Sequence, residues 1–279
     1  PPRVTPPPGA TPPPGATPAP GATRPPMPAF DAPVAENEAQ ALARERGLRP
    51  EPAPVGGDPA RMGIAAATRY IFAVKTNVTL IVASACGYFF LAGIQTFGVE
   101  YVEKQYRVNT LLANPVMIVI GIGAVAGVLT GGGVGDSLLH KRYLNGRIMA
   151  SAIAAAVSVV LFFPAILTRG LVTAVPYLTG AAFFLSVQQA PMNAARLDIM
   201  PAALWGRAEG YRSAVRTAAQ ALAPPVFGFL ADFIGRNGNV RLGLEWAFLL
   251  MLLPLAGGAL LLFKALRTYP QDVANAAGA

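Results

Sequence analysis

The chain has 279 residues, 53% of them hydrophobic and 13% charged, with a mean hydropathy of +0.46. Its 22 Lys and Arg against 14 Asp and Glu leave a formal charge of +8. In a soluble chain that excess would suggest nucleic acid; here so apolar a composition argues against it, and the placement of the charges gives a better account.

The first sixty or so residues offer no core. Residues 5–22 are three copies of a hexad, Thr-Pro-Pro-Pro-Gly-Ala twice and then Thr-Pro-Ala-Pro-Gly-Ala. Glycine returns every sixth residue rather than every third, which excludes a collagen helix. Such a tract is solvated and polyproline-II-like, a spacer or else an SH3-type ligand. Ala35–Leu48 has helix-forming composition and reads as a short surface helix. The chain opens at Pro1 with neither a methionine nor a signal peptide, and the expectation is a piece of a longer product.

Six apolar runs follow, separated by short charged loops: Thr76–Val99, Val108–Gly135, Ile148–Thr168, Gly170–Ala195, Thr217–Ala231 and Trp246–Phe263. A helix needs roughly 20 apolar residues to cross a bilayer, and four of the runs reach that outright. The fifth is long enough only if Arg212 and Arg216 lie in its cytoplasmic turns. Backbone polar groups in lipid must be satisfied within the element, so the spans are read as helices. With the long amino-terminal segment cytoplasmic, an even number of spans returns the carboxyl terminus to the same side. All of the 22 Lys and Arg except Lys104, Arg107, Arg169, Arg236 and Arg241 then fall on the cytoplasmic side, as the positive-inside rule requires. The reading is a multi-pass protein of the plasma membrane with both termini cytoplasmic. Residues 1–69 form a Pro-rich disordered cytoplasmic segment, 70–268 the six-helix transmembrane domain, and 269–279 a cytoplasmic tail.

Reactive side chains are scarce. Cys86 is the single cysteine and lies within a span, so neither an intrachain disulfide nor a thiolate metal cluster is available. His140 is the single histidine and sits in a basic loop, where a solvated role is the better reading. No phosphate-binding glycine motif, metal-ligand spacing or nucleophile–base constellation appears. The sequence therefore gives no catalytic residue, no metal and no cofactor, and the chain is not read as an enzyme.

Polar residues are shared unevenly among the spans. In the first, Asn77, Ser84, Tyr88 and Gln95 are spaced 7, 4 and 7 and fall within roughly a 40° arc of one helix face. In the fourth, Thr179, Ser186, Gln189 and Asn193 again share one side. The fifth carries Arg216 and Gln220 one turn apart, followed by Pro224-Pro225, a pair expected to interrupt its hydrogen-bond ladder. Polar stripes are expensive in lipid unless they line a wet cavity or a helix contact. Asn77, Ser84, Tyr88, Gln95, Gln189, Asn193, Arg216 and Gln220 are accordingly the candidates for a substrate cavity, with ordinary hydrogen bonding between helices as the alternative. The third and sixth spans are nearly apolar all round and are expected to face lipid.

In the second span Gly123, Gly127, Gly131 and Gly135 recur at every fourth position, making a flat groove for close packing of another helix. The stripe ends in Gly132-x-x-x-Asp136, with Lys141 and Arg142 after it. A carboxylate at its own helix's carboxyl end is unfavourable unless it meets another helix's amino end or a basic side chain, so Asp136 reads as a latch, with a solvated loop carboxylate as the alternative. Gly228-x-x-x-Asp232 closes the fifth span in the same way on the opposite side of the membrane. Each is the middle helix of three, the arrangement expected of a 3+3 inverted repeat.

These residues resemble the carboxyl-terminal half of a major facilitator superfamily transporter, over about residues 75–270. The resemblance rests on the Gly132-x-x-x-Asp136 loop with its basic followers and on the run Ala195-Arg-Leu-Asp-Ile-Met200 through Gly206-Arg-Ala-Glu209 to Ala223-Pro-Pro. Ser137 and Leu139 stand where the family's loop has a basic residue and a glycine. The resemblance implies an all-α membrane fold of six transmembrane helices, half of a twelve-helix transporter. It implies secondary active transport of a small organic solute by alternating access, with export favoured. The gating loop would be Gly132, Asp136, Lys141 and Arg142. Partners would be the lipid bilayer, a small-molecule substrate and the missing amino-terminal six helices, which would pack on the glycine groove and supply a partner for Asp136. The alternatives are a homodimer joined through that groove, and a non-transporting scaffold or inactive fragment.

Overall fold

The computed structural model describes residues 37–51, 56 and 58–278; the hexad tract lies outside the described residues. Among the described residues the chain forms helices and no strand. They are α1 (Glu38–Glu45), α2 (Ile64–Ala73), α3 (Lys75–Tyr106), α4 (Thr110–His140), α5 (Gly146–Leu167), α6 (Leu171–Val187), α7 (Gln189–Asp198), α8 (Trp205–Ile234) and α9 (Val240–Ala277). Six stretches are long and apolar enough to cross a membrane, with α6 and α7 together making the fourth. Their ends follow local chemistry. Arg107 enters the left-handed region at φ 54° and stops α3; the Asn109 side chain then caps α4 by accepting from Leu112 N–H at 3.2 Å. Gly238, at φ 81°, turns the chain ahead of Asn239, which caps α9.

Neighbour relations fix the topology. The fourth span packs on the second and third, the third on the sixth, the sixth on the first, and the first on the fifth; second also meets third, and fifth meets sixth. Exchanging first with fourth, second with fifth and third with sixth returns the same set of neighbours. Because each repeat holds three spans, the second enters the membrane from the opposite side: a 3+3 inverted repeat. The third and sixth spans form the central pair. Each buries one face and keeps an outward apolar one, with Val160 and Phe163 on α5 and Leu253 and Leu260 on α9. The second and fifth spans are the least covered.

Two apolar cores lie one above the other. The one nearer the chain ends gathers Tyr70, Ile71, Leu80, Leu139, Ile148, Ile199 and Tyr269. The far one is aromatic, with Phe90 edge-on to Phe162 at 4.9 Å and Phe227 against Phe248 at 4.5 Å.

Several expectations are corrected here. The glycine groove is occupied within this chain: α6 lies so close that a β-carbon on Gly123, Gly127 or Gly131 would meet the carbonyl oxygens of Thr179, Phe183 or Val187, and one on Gly135 would meet Pro191. The groove therefore needs neither a missing half nor a second copy to fill it, and a homodimer cannot form through it while α6 is seated. Pro224 and Pro225 interrupt the hydrogen-bond ladder of α8 as expected, leaving the carbonyls of Gln220 and Ala221 without a helical donor, while the helix itself continues. Residues 269–277, read as a cytoplasmic tail, are helical and form the last turns of α9. Part of the segment called a linker at 1–69 is packed: α1, closed by a capping box at Asn37 and Gln40, buries Ala39, Leu42 and Ala43 against α9.

Candidate transport site

The candidate cavity residues do not act as one stripe. Asn77 is wholly buried and its Nδ2 donates to the Ile71 carbonyl at 3.0 Å, which caps the end of α2. Ser84 is 1% exposed, with its Oγ unpartnered inside the bundle. These two positions are closed within the unit, so the cavity expectation is corrected for them. Tyr88 is half-buried and Gln95 is exposed.

At Tyr88 the first, fourth and fifth spans converge. The Arg216 guanidinium of α8 lies over the Tyr88 ring, 4.9 Å from its centroid. Gly87 lies under the amides of Gln188 and Gln189, at the break between α6 and α7; the Gln189 Oε1 has no partner. Asn193 of α7 accepts from Arg212 Nη1 of α8 at 2.8 Å. Contacts therefore run from α3 to α8 through Tyr88 and Arg216, from α8 to α7 through Arg212 and Asn193, and back to α3 through Gln189 and Gly87. The break follows from Pro191, which removes the donor for the Val187 carbonyl; Ser151 Oγ donates to the Gln188 carbonyl at 3.1 Å. Gln220 is half-buried one turn above Arg216.

Charge is distributed unequally in this cluster. Glu209 pairs with both Arg196 and Arg212, two guanidinium groups sharing one carboxylate. Arg216 donates to Ser213 Oγ at 3.2 Å and forms no ion pair among the described residues. Tyr88 stands at the middle of the apolar run of its span, which sets the guanidinium over it at that depth rather than in the cytoplasmic turns expected of Arg216. A cation at that depth is costly, and the ring's negative face offsets only part of the cost. Its remaining donors suit an oxyanion such as a carboxylate or sulfate.

On the side of the chain ends, Asp136 finds its partner in the same chain. Arg147 Nη2 donates to Asp136 at 2.8 Å, and Nη1 donates to both oxygens of Asp198 at 2.7 and 2.8 Å. Tyr269 Oη of α9 donates to Asp198 Oδ2 at 2.5 Å. The short 141–145 loop reverses the chain and brings the first turn of α5 beneath the end of α4, which is why no outside partner is needed. Four spans meet at this cluster. Arg142, left-handed at φ 66°, pairs with Glu45 of α1, and Arg46 donates to the Arg142 carbonyl. Lys141 is exposed and Gly132 half-buried. Arg147 and Tyr269 were missed in the sequence because no local pattern marks them; the Gly132-x-x-x-Asp136 motif gave only the carboxylate that needed a cation.

Six membrane-length helices in this inverted arrangement make a six-helix portion of the major facilitator superfamily fold. Residues 36–171 match the Organic Anion Transporter Polypeptide (OATP) family. The fold is similar to that in the crystal structure of a bacterial homolog to the human lysosomal transporter Spinster, in an inward-facing and unoccupied conformation. That match has a TM-score of 0.62 and 16% identity, and covers 78% of this chain and 53% of that one. The chain thus spans about half the length of that protein. No curated protein matches its sequence.

Proposed function

We propose that the chain is the carboxyl-terminal half of a secondary active transporter of the plasma membrane, with both termini cytoplasmic, and that its solute is a small organic anion. One observation carries the substrate class: the Arg216 guanidinium lies 4.9 Å over the Tyr88 ring, at the middle of that span's apolar run, and forms no ion pair among the described residues. Alternating access around a midplane site is the mechanism that suits the inverted repeat. Export is assigned from the family resemblance alone. The exposed apolar faces of α4 (Ile118, Ile122, Val125, Leu129) and α8 (Leu222, Val226, Phe229, Phe233) are the surface we assign to the other six helices.

The test is flux in proteoliposomes of the full-length protein, using a fluorescent organic carboxylate or sulfonate and a cationic dye of similar size. The expected result is transport of the anion but not the cation, abolished by Arg216→Gln and partly kept by Arg216→Lys. Equal flux of both dyes, or anion flux indifferent to Arg216→Gln, would overturn the substrate class. Absence of any flux, together with binding of the amino-terminal arm to a protein partner, would favour a scaffold.

A further inference from the structure

Where α2 meets α3 and the last turns of α9 pass beside them, a hollow of about 310 Å³ opens on the side of the chain ends. Tyr70, Lys75, Arg267, Asp272 and Glu51 are among the residues lining it. It is separate from the Tyr88–Arg216 site and from the Arg147 cluster. Tyr70 is 2% exposed, yet its hydroxyl takes no hydrogen bond among the described residues. The ring is buried while the hydroxyl oxygen keeps access to the hollow, where it can donate to a bound acceptor. Burial, and then the nearby Asp272, push its pKa up, so it remains a donor.

Four charged groups border the same hollow without pairing across it. Lys75 and Arg267 are exposed and form no ion pair among the described residues, and neither do Glu51 and Asp272. Asp272 holds only the Thr76 N–H at 2.9 Å through Oδ2. The neutral polar groups of the rim are already engaged: Gln271 donates to the Arg49 carbonyl at 2.9 Å and to Asn275 Oδ1 at 3.1 Å, while Thr268 meets Thr76 at 2.6 Å. Open capacity is therefore two cations, one phenol donor and two carboxylates.

Their order along the membrane normal is informative. The apolar run of the sixth span ends at Phe263, so Arg267 stands one turn beyond it, at head-group depth. At 1.5 Å per residue, Asp272 lies about 7 Å farther out. Glu51, whose N–H donates to Asn275 Oδ1 at 2.8 Å, is farther still. With Arg267 deepest, Lys75 beside Asp272 at the middle level, where Asp272 holds the Thr76 N–H, and Glu51 outermost, the order complements a phosphate followed by an amine.

We propose that this hollow binds a zwitterionic phosphoamine group, the phosphate on Lys75, Arg267 and the Tyr70 hydroxyl and the primary ammonium on Asp272 and Glu51. The adjacent leaflet can supply it as phosphatidylethanolamine; a soluble phosphoamine presents the same chemistry.

The experiment titrates the full-length protein in detergent with phosphatidylethanolamine, phosphatidylcholine or phosphatidylglycerol, read by native mass spectrometry and by the thermal unfolding midpoint. Phosphatidylethanolamine is expected to bind at least about fivefold tighter than either other lipid, since choline has no N–H donor and glycerol no positive charge for the carboxylates. Lys75→Gln and Tyr70→Phe should each weaken that binding about fivefold while leaving the lipid-free midpoint unchanged, and Glu51→Gln should shrink the preference over phosphatidylglycerol. Water-soluble glycerophosphoethanolamine is the second arm. If it displaces the lipid at similar concentration, the site takes a soluble ligand of the proposed chemistry; if it does not, the site takes the lipid. Equal binding of the three lipids, or binding undiminished in both Lys75→Gln and Tyr70→Phe, overturns the proposal.

Discussion

One guanidinium nitrogen of Arg147 holds both carboxylate oxygens of Asp198, at 2.7 and 2.8 Å, joining the third span to the end of the fourth. Asp198 is 1% exposed, so its charge depends on that partner. Arg147→Ala should destabilise the protein by about 3–5 kcal/mol, because an unpaired buried charge is left behind. Replacing both residues with leucine should recover only part of that loss, because the Tyr269 hydroxyl then loses its acceptor. Chemical unfolding in detergent measures both, and a single-variant cost below about 1 kcal/mol would show the pair to be superficial.

Gly127→Ala places a methyl group against the Phe183 carbonyl, a backbone atom that cannot swing away. We expect a loss of about 1–3 kcal/mol from overpacking. Gly133→Ala, on another face of the same helix at a position with nothing nearby, should be neutral or slightly stabilising. A cysteine at Gly127 should give no cross-link between two copies, since the position is buried under α6; an efficient intermolecular disulfide there would contradict the packing.

Tyr88 and Arg216 make a ring–cation contact, which needs the aromatic face rather than the hydroxyl. Tyr88→Phe should keep anion transport near the parent level, whereas Tyr88→Leu should lower it about tenfold, equivalent to roughly 1.4 kcal/mol. Equal transport by the two variants would remove the ring from the site. Asn77→Ala, by contrast, should lower stability and leave the apparent affinity for the anion unaltered.

Leu42 is buried where α1 meets the bundle, and Gln40 Nε2 donates to the Asp198 carbonyl at 3.2 Å. Leu42→Asp places a carboxylate in that contact and should release α1, at a cost of about 2–4 kcal/mol to its docking. Limited trypsinolysis reads this directly: cleavage after Arg44 and Arg46 should quicken by more than tenfold in the variant. Unchanged cleavage would mean that α1 is held by something other than its apolar face.

The spans were legible because membrane crossing demands long uncharged runs, and the repeat was legible because Gly132-x-x-x-Asp136 and Gly228-x-x-x-Asp232 preserve one spacing. Periodicity placed Asn77, Ser84, Tyr88 and Gln95 on one face but carried no information about depth of burial, and two of the four are enclosed. The occupant of the glycine groove was hidden for a different reason. A small-residue stripe specifies that some helix approaches closely, while its partner, α6, is defined only by the way the intervening third span folds back. Tyr269 is invisible for the same reason: it lies 71 residues from the carboxylate it serves.

The two repeats are alike in shape and unlike in fastening. Each third helix carries arginine as its second residue, Arg147 in α5 and Arg241 in α9. Arg147 reaches across to Asp136, yet Arg241 lies 4.0 Å from Glu245 on its own helix, and Asp232 forms no ion pair among the described residues. The bundle is thus riveted at one end and unbolted at the other. Fraying should begin at the Asp232 end, with amides near Gly228–Leu244 exchanging their hydrogens before those around Asp136–Ile148.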